Sequence, residues 1–161
     1  LENFIMQELY LPLPIILLEM LIMNRGFKIL KIDHIAIAVS NSETASKLFT
    51  LLGMEVSNSQ VVSSEKVSVM KVKTFNKNHT LELLEPLDKS SVVDKFIRKK
   101  GEGLHHLALE VDNIKNAISY LEKHDIRLIY STPQTGADNK LITFIHPSST
   151  PGILLEICQT L

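Results

Sequence analysis

The sequence predicts an α+β domain built from two tandem βαβββ modules, whose strands join into one curved, partly open barrel-like sheet around a cleft. Three observations predict it. A short strand pattern occurs twice, as Asp33-His34-Ile35-Ala36-Ile37-Ala38-Val39 and as His105-His106-Leu107-Ala108-Leu109-Glu110-Val111. Each copy runs into an amphipathic helix at the same spacing. Each module then closes on an apolar strand carrying one carboxylate, Glu82 in Leu81-Glu82-Leu83-Leu84 and Glu156 in Leu155-Glu156-Ile157.

The register of the repeat is tight. His34 falls on His106 at an offset of 72, and Ala36/Ala108, Val39/Val111, Asn41/Asn113 and Ala45/Ala117 are identical at that offset. The glutamates align at an offset of 74, so a two-residue length difference lies in the connecting loops. Chance similarity of two amphipathic stretches does not explain the shared order of His, helix and Glu. Duplication does.

Residues 31–39 alternate as a strand, with Asp33, Ile35, Ile37 and Val39 on one face and His34, Ala36 and Ala38 on the other. The large aliphatics pack under a helix; the histidine face carries small neighbours and leaves room for a ligand. A helix then starts at Ser42-Glu43-Thr44, buries Ala45, Leu48, Phe49 and Leu52, and ends at Gly53. Strands follow over 54–57, 67–75 and 80–85. Residues 90–100 form an amphipathic linker helix with Val92, Val93, Phe96 and Ile97 inward. In the second module 104–111 is a strand, and Asp112 or Asn113 caps a helix burying Ile114, Ala117, Ile118 and Leu121. Residues 126–130, 141–146 and 153–158 complete it as strands. Module one thus spans 31–86 and module two 103–159, within a single domain of residues 23–161.

Residues 11–23 are strongly apolar, but Pro12, Pro14 and Glu19 interrupt them, and the run falls short of the ~20 residues a spanning helix needs. No Lys or Arg precedes them, as a signal peptide would require. Residues 1–22 therefore read as an extension ahead of Met23, covering an apolar surface rather than anchoring the chain. Lys and Arg number 17 against 18 Asp and Glu, a balance that argues against a nucleic-acid surface. The single cysteine, Cys158, permits no internal disulfide, which fits a reducing cytoplasm. No Gly-rich phosphate loop or nucleophile elbow is present.

Imidazole nitrogens and carboxylate oxygens suit a first-row divalent ion, and two of each leave coordination positions open for substrate. A carboxylate inside an apolar strand is costly to bury unless paired or metal-bound. His34, Glu82, His106 and Glu156, at equivalent points of a repeat, therefore form the candidate metal site. His105 points to the opposite face by alternation and reads as packing or as support for its neighbour. Parity also turns Asp33 away from His34, although it could orient that ring. His146 ends a strand, where a turn role is at least as good as substrate contact.

The stretches KIDHIAIAV (residues 31–39), LELLEPL (81–87), KGEGLHHLALEVDNI (100–114), FIHP (144–147) and GILLEICQ (152–159) resemble the vicinal oxygen chelate superfamily, also called the glyoxalase/bleomycin-resistance fold. Within it they are similar to the methylmalonyl-CoA epimerase family. DHIAIAV alone marks only the superfamily; GEGLHHLALEV combined with LELLEP marks the branch. The resemblance implies a homodimeric enzyme, dependent on Co2+ or on Zn2+, Mn2+ or Ni2+. It would epimerise the carbon alpha to the thioester of a small acyl-CoA through a metal-stabilised enolate. It assigns the metal to His34, Glu82, His106 and Glu156, with Glu156 also transferring protons. A second glutamate that relatives can carry near the strand aligned with residues 67–70 has no counterpart inside that run. Glu65 just upstream, water, His79 or Lys71 are the candidates. The alternatives are a glyoxalase-like lyase or isomerase on a thiol adduct, and a metal-free ligand-binding module of the same fold.

Overall fold

The computed structural model describes residues 25–161, so the expectation for residues 1–22 lies outside the described residues. Module one runs β1 (Ile29–Ala38), α1 (Ser42–Leu51), β2 (Glu55–Val62), β3 (Val67–Lys73) and β4 (Thr80–Pro86). The linker is α2 (Val92–Lys100). Module two runs β5 (Gly103–Val111), α3 (Ile114–Lys123), β6 (Gln134–Thr135), β7 (Leu141–Ile145) and β8 (Leu155–Gln159). All eight strands share one sheet in the order β2-β3-β4-β1-β5-β8-β7-β6. The two halves meet at the antiparallel β1–β5 pair, and each central strand is parallel to the last of its own module, β4 or β8. The sheet curls into a half-barrel, as the duplicated pattern predicts.

The repeat reaches down to the helix caps. Asn41 accepts a hydrogen bond from the Thr44 backbone N–H at 2.7 Å, and Asn113 accepts one from Asn116 at 3.0 Å. Both satisfy a donor that the first helical turn leaves open. The Asn41/Asn113 identity is thus a conserved piece of chemistry within one chain. Ser91 caps α2 in the same way, and Arg98, Lys99 and Lys100 sit in its last turn, where cations suit the helix dipole.

Packing follows the strand faces. Ile37 and Val39 lie with Met70, Val72 and Leu83 under Ala45 and Phe49 of α1. On the opposite face Ala36 and Ala38 are covered by Val93, Phe96 and Ile97 of α2. In module two α3 buries Ile114, Ala117 and Ile118 against Ile157 and Val111. Leu83 has 0% exposure in the module-one core. Leu83→Ala should lower unfolding free energy by about 2–5 kcal/mol, read from the urea midpoint, because the removed atoms leave a cavity in a close-packed sheet face.

Three expectations change, the first at Val92 of α2, which is 51% exposed rather than inward. Leu48 and Leu52 are 59% and 67% exposed, so α1 presents Ala45 and Phe49 but not the whole stripe to the sheet. Residues 126–130 do not form a strand; they contribute one bridge, Leu128 to Ile145. The short β6 takes the outer place instead, on β7. Among the described residues no helix is long and apolar enough to cross a membrane.

Candidate metal centre

Both halves of the central pair aim a histidine into the hollow of the sheet. His34 on β1 and His106 on β5 bring their Nε2 atoms to 3.1 Å of each other. Glu156, on β8 beside β5, places Oε2 at 3.2 Å from His106 Nε2. Glu82, on β4 beside β1, places Oε2 at 3.6 Å from His34 Nε2. His34, His106 and Glu156 form a donor cluster whose ligand atoms all lie within 4.8 Å of one another, and Glu82 flanks it on the His34 side. The four residues are only 5–7% exposed.

These donors fit a divalent ion. Nitrogen or oxygen atoms about 2.1 Å from one cation stand ~3.0–3.4 Å apart at right-angle or tetrahedral positions. The distances of 3.1 and 3.2 Å fall in that interval. Two buried carboxylates facing two imidazoles also need a compensating positive charge, which a cation supplies. Burial pushes the Glu82 carboxyl above the ordinary carboxylate range despite His34 and Lys71 nearby. At His34 burial lowers the pKa, but the bond to Asp33 and the Glu82 and Glu156 charges outweigh it and raise it.

Parity failed for Asp33 and His105, and the pairing explains both. The β1–β5 register shifts between Ile32 and His34, making Asp33 the extra residue of a β-bulge on β1. It shifts again after the Ala36–His106 pair, making His105 the extra residue on β5. A bulge re-aims side chains that strict alternation would separate. Asp33 consequently reaches His34 Nδ1 at 2.9 Å, and His105 Nδ1 lies 2.9 Å from His106 Nδ1. Burial pushes the pKa of His105 down to about 4, with the neighbouring His106 and Lys100 adding to the effect.

The histidines and glutamates open onto a cavity of about 180 Å3 walled by Val62, Val67, Val69, Leu84, Ile142 and Phe144. Glu65, on the tight turn between β2 and β3, also lines it, as does Tyr130. Burial, joined by the like charge of Glu156, raises the Glu65 carboxyl; a hydrogen bond from Tyr130 and the nearby His106 oppose this. Of the acid/base candidates named for residues 65, 71 and 79, only Glu65 lines the cavity. Lys71 instead pairs with Asp138 and stands 3.9 Å from Glu82. His79 lies in the β3–β4 turn, where its carbonyl accepts from Thr74. His146 accepts from the Ser148 N–H and holds a turn. Tyr130 carried no signal in the sequence beyond its place in a run read as strand.

Residues 33–144 match the family model of the Glyoxalase/Bleomycin resistance protein/Dioxygenase superfamily. Human mitochondrial methylmalonyl-CoA epimerase is 37% identical over 131 residues, covering 80% of this chain and 73% of that protein. The crystal structure of methylmalonyl-CoA epimerase from Mycobacterium tuberculosis superposes with a TM-score of 0.78 at 29% identity, covering 83% of this chain and 89% of that one. A variant of the Streptomyces coelicolor enzyme in complex with 2-nitronate-propionyl-CoA superposes at 0.77 and 28% identity, over 83% and 96% of the two chains.

Proposed function

Because this chain belongs to the methylmalonyl-CoA epimerase family of the glyoxalase/bleomycin-resistance superfamily, we propose that it interconverts the R and S forms of methylmalonyl-CoA by moving the proton on the carbon alpha to the thioester. One observation carries the reading: two histidines and a glutamate from both halves of a duplicated sheet converge, buried, at the spacing of a cation's ligands. His34, His106 and Glu156 would hold a divalent ion, with Glu82 completing the set. When bound, that ion is a Lewis acid for the thioester and carboxylate oxygens, which makes the alpha proton easier to remove.

The residues of the chain divide the remaining work. The cavity of about 180 Å3 leaves room for a branched acyl group with the nucleotide end outside. Its valine, leucine and isoleucine walls give the reacting carbon an apolar surround. Inversion needs one group to take the proton from one side of the planar carbon and another to return a proton from the other. Glu156 and Glu65 are carboxylates on the same cavity contributed by different modules. We assign one to each face. Burial, with the like charge of Glu156, raises the Glu65 carboxyl, the direction that favours its holding a proton.

A thiol-adduct lyase would use a similar donor set, and the family membership favours the epimerase over it. A metal-free binding module gives no account of two carboxylates buried against two imidazoles. The test is incubation of one stereoisomer of methylmalonyl-CoA with the metal-loaded protein in deuterated water. Deuterium at the alpha carbon with formation of the other stereoisomer is the expected result; an unexchanged substrate would refute the assignment.

A further inference from the structure

We propose that Asp33, clamped by Lys140 of the opposite module, is the positioning residue that fixes His34 for its ion; the proposal rests on the metal-site reading above. Asp33 Oδ2 accepts from His34 Nδ1 at 2.9 Å and from Lys140 Nζ at 2.6 Å, so one oxygen joins an imidazole of module one to an ammonium of module two. Its other oxygen lies 3.4 Å from Lys31, which in turn stands 3.1 Å from Glu110. Asp33 and His34 side chains are each 7% exposed and Lys140 18%, so the His34–Asp33–Lys140 contacts are shielded from solvent, whereas Lys31 is 57% exposed.

The consequence is tautomeric. With Nδ1–H committed to Asp33, the neutral His34 ring presents an unprotonated Nε2, the atom that faces His106. A carboxylate behind a ligating imidazole also fixes the ring plane and raises its donor strength. Without Lys140, the Asp33 carboxylate would lose the nearer of its two ammonium partners, at 2.6 Å against 3.4 Å for Lys31. Lys140 is delivered by the turn Ala137–Asn139, whose Asp138 pairs with Lys71, itself 3.9 Å from Glu82. Asp138 and Asn139 adopt left-handed backbone, φ 54° and 57°, a conformation that Asp and Asn tolerate better than most residues. The same turn of module two thus reaches towards both module-one ligands, His34 through Asp33 and Glu82 through Lys71.

The experiment is a Co2+ titration of the full chain, followed by calorimetry and by the visible absorption of the bound ion. It compares wild type, Asp33→Ala, Lys140→Met and the double variant, each checked for fold by circular dichroism. Asp33→Ala is expected to weaken Co2+ binding about 10- to 100-fold, as loss of a carboxylate behind a ligating histidine does. Lys140→Met should weaken it in the same direction by less, and Lys140→Arg should restore most of it. The double variant should bind no worse than Asp33→Ala alone, because the lysine acts through the aspartate. A merely structural ion pair would lower thermal stability and leave affinity and absorption unchanged, and that result overturns the proposal. Wild-type protein that binds no Co2+ would overturn the metal-site reading and this proposal with it.

Discussion

Turnover of methylmalonyl-CoA by His106→Ala should fall by about 10^3-fold or more even at saturating metal. A Lewis acid is worth several kcal/mol at such a reacting centre, and each 1.36 kcal/mol is a factor of ten. His106 is the hub of the cluster: its Nε2 lies 3.1 Å from His34 and 3.2 Å from Glu156, and its ring meets Phe144 edge-on at 5.5 Å. The fold should survive, because the flanking Ala108 and Leu107 keep β5 paired with β1. Epimerisation rate and bound metal, measured on protein with a native circular dichroism spectrum, check this. Activity within tenfold of wild type would remove His106 from the site.

Glu156→Gln and Glu65→Gln should each lower epimerisation by about 10^2- to 10^4-fold, the range for loss of a positioned acid/base. Their signatures differ. Glu65→Gln leaves the metal donors intact, so it should bind the ion normally. Glu156 would still exchange the proton on its own face, so one stereoisomer should take up deuterium without inverting. Glu156→Gln also removes a charged donor of the proposed metal site and should retain only part of the metal affinity. Alpha-proton exchange followed separately for each stereoisomer distinguishes the two variants. Inversion at the wild-type rate in Glu65→Gln would exclude it as the second group; normal turnover in Glu156→Gln would exclude its proton-transfer role.

The repeat made much of this legible. His34 and His106, Glu82 and Glu156, and the capping pair Asn41 and Asn113 all follow from strand alternation or local cap chemistry, which neighbouring residues in the sequence determine. What pairing between distant strands decides was not legible. The bulges at Asp33 and His105 exist only in the β1–β5 register, so parity assigned both residues to the wrong face. Leu48 and Leu52 have the helical spacing of core residues, yet α1 buries Ser42 and Ser46 beside Ala45 and Phe49 and leaves both leucines exposed. Residues 126–130 look like a strand because they are apolar and β-branched, but β7 makes a single bridge with them. Glu65 lay outside the strand where a second acid was sought. The β2–β3 hairpin folds its turn over the cavity and brings the carboxylate in.

The same distinction separates the ligands from their support. A ligand must stand on a strand and face the hollow, and a sequence displays that. Its support can come from anywhere that folding brings near, as Lys140 comes to Asp33 across 107 positions.

Crystals grown with Co2+ and measured at the cobalt absorption edge offer the decisive measurement. A single anomalous peak is expected among His34 Nε2, His106 Nε2 and the carboxylates of Glu82 and Glu156, at bonding distance from the two nitrogens. A loaded crystal whose cobalt sits elsewhere, with those two imidazoles uncoordinated, would contradict the account.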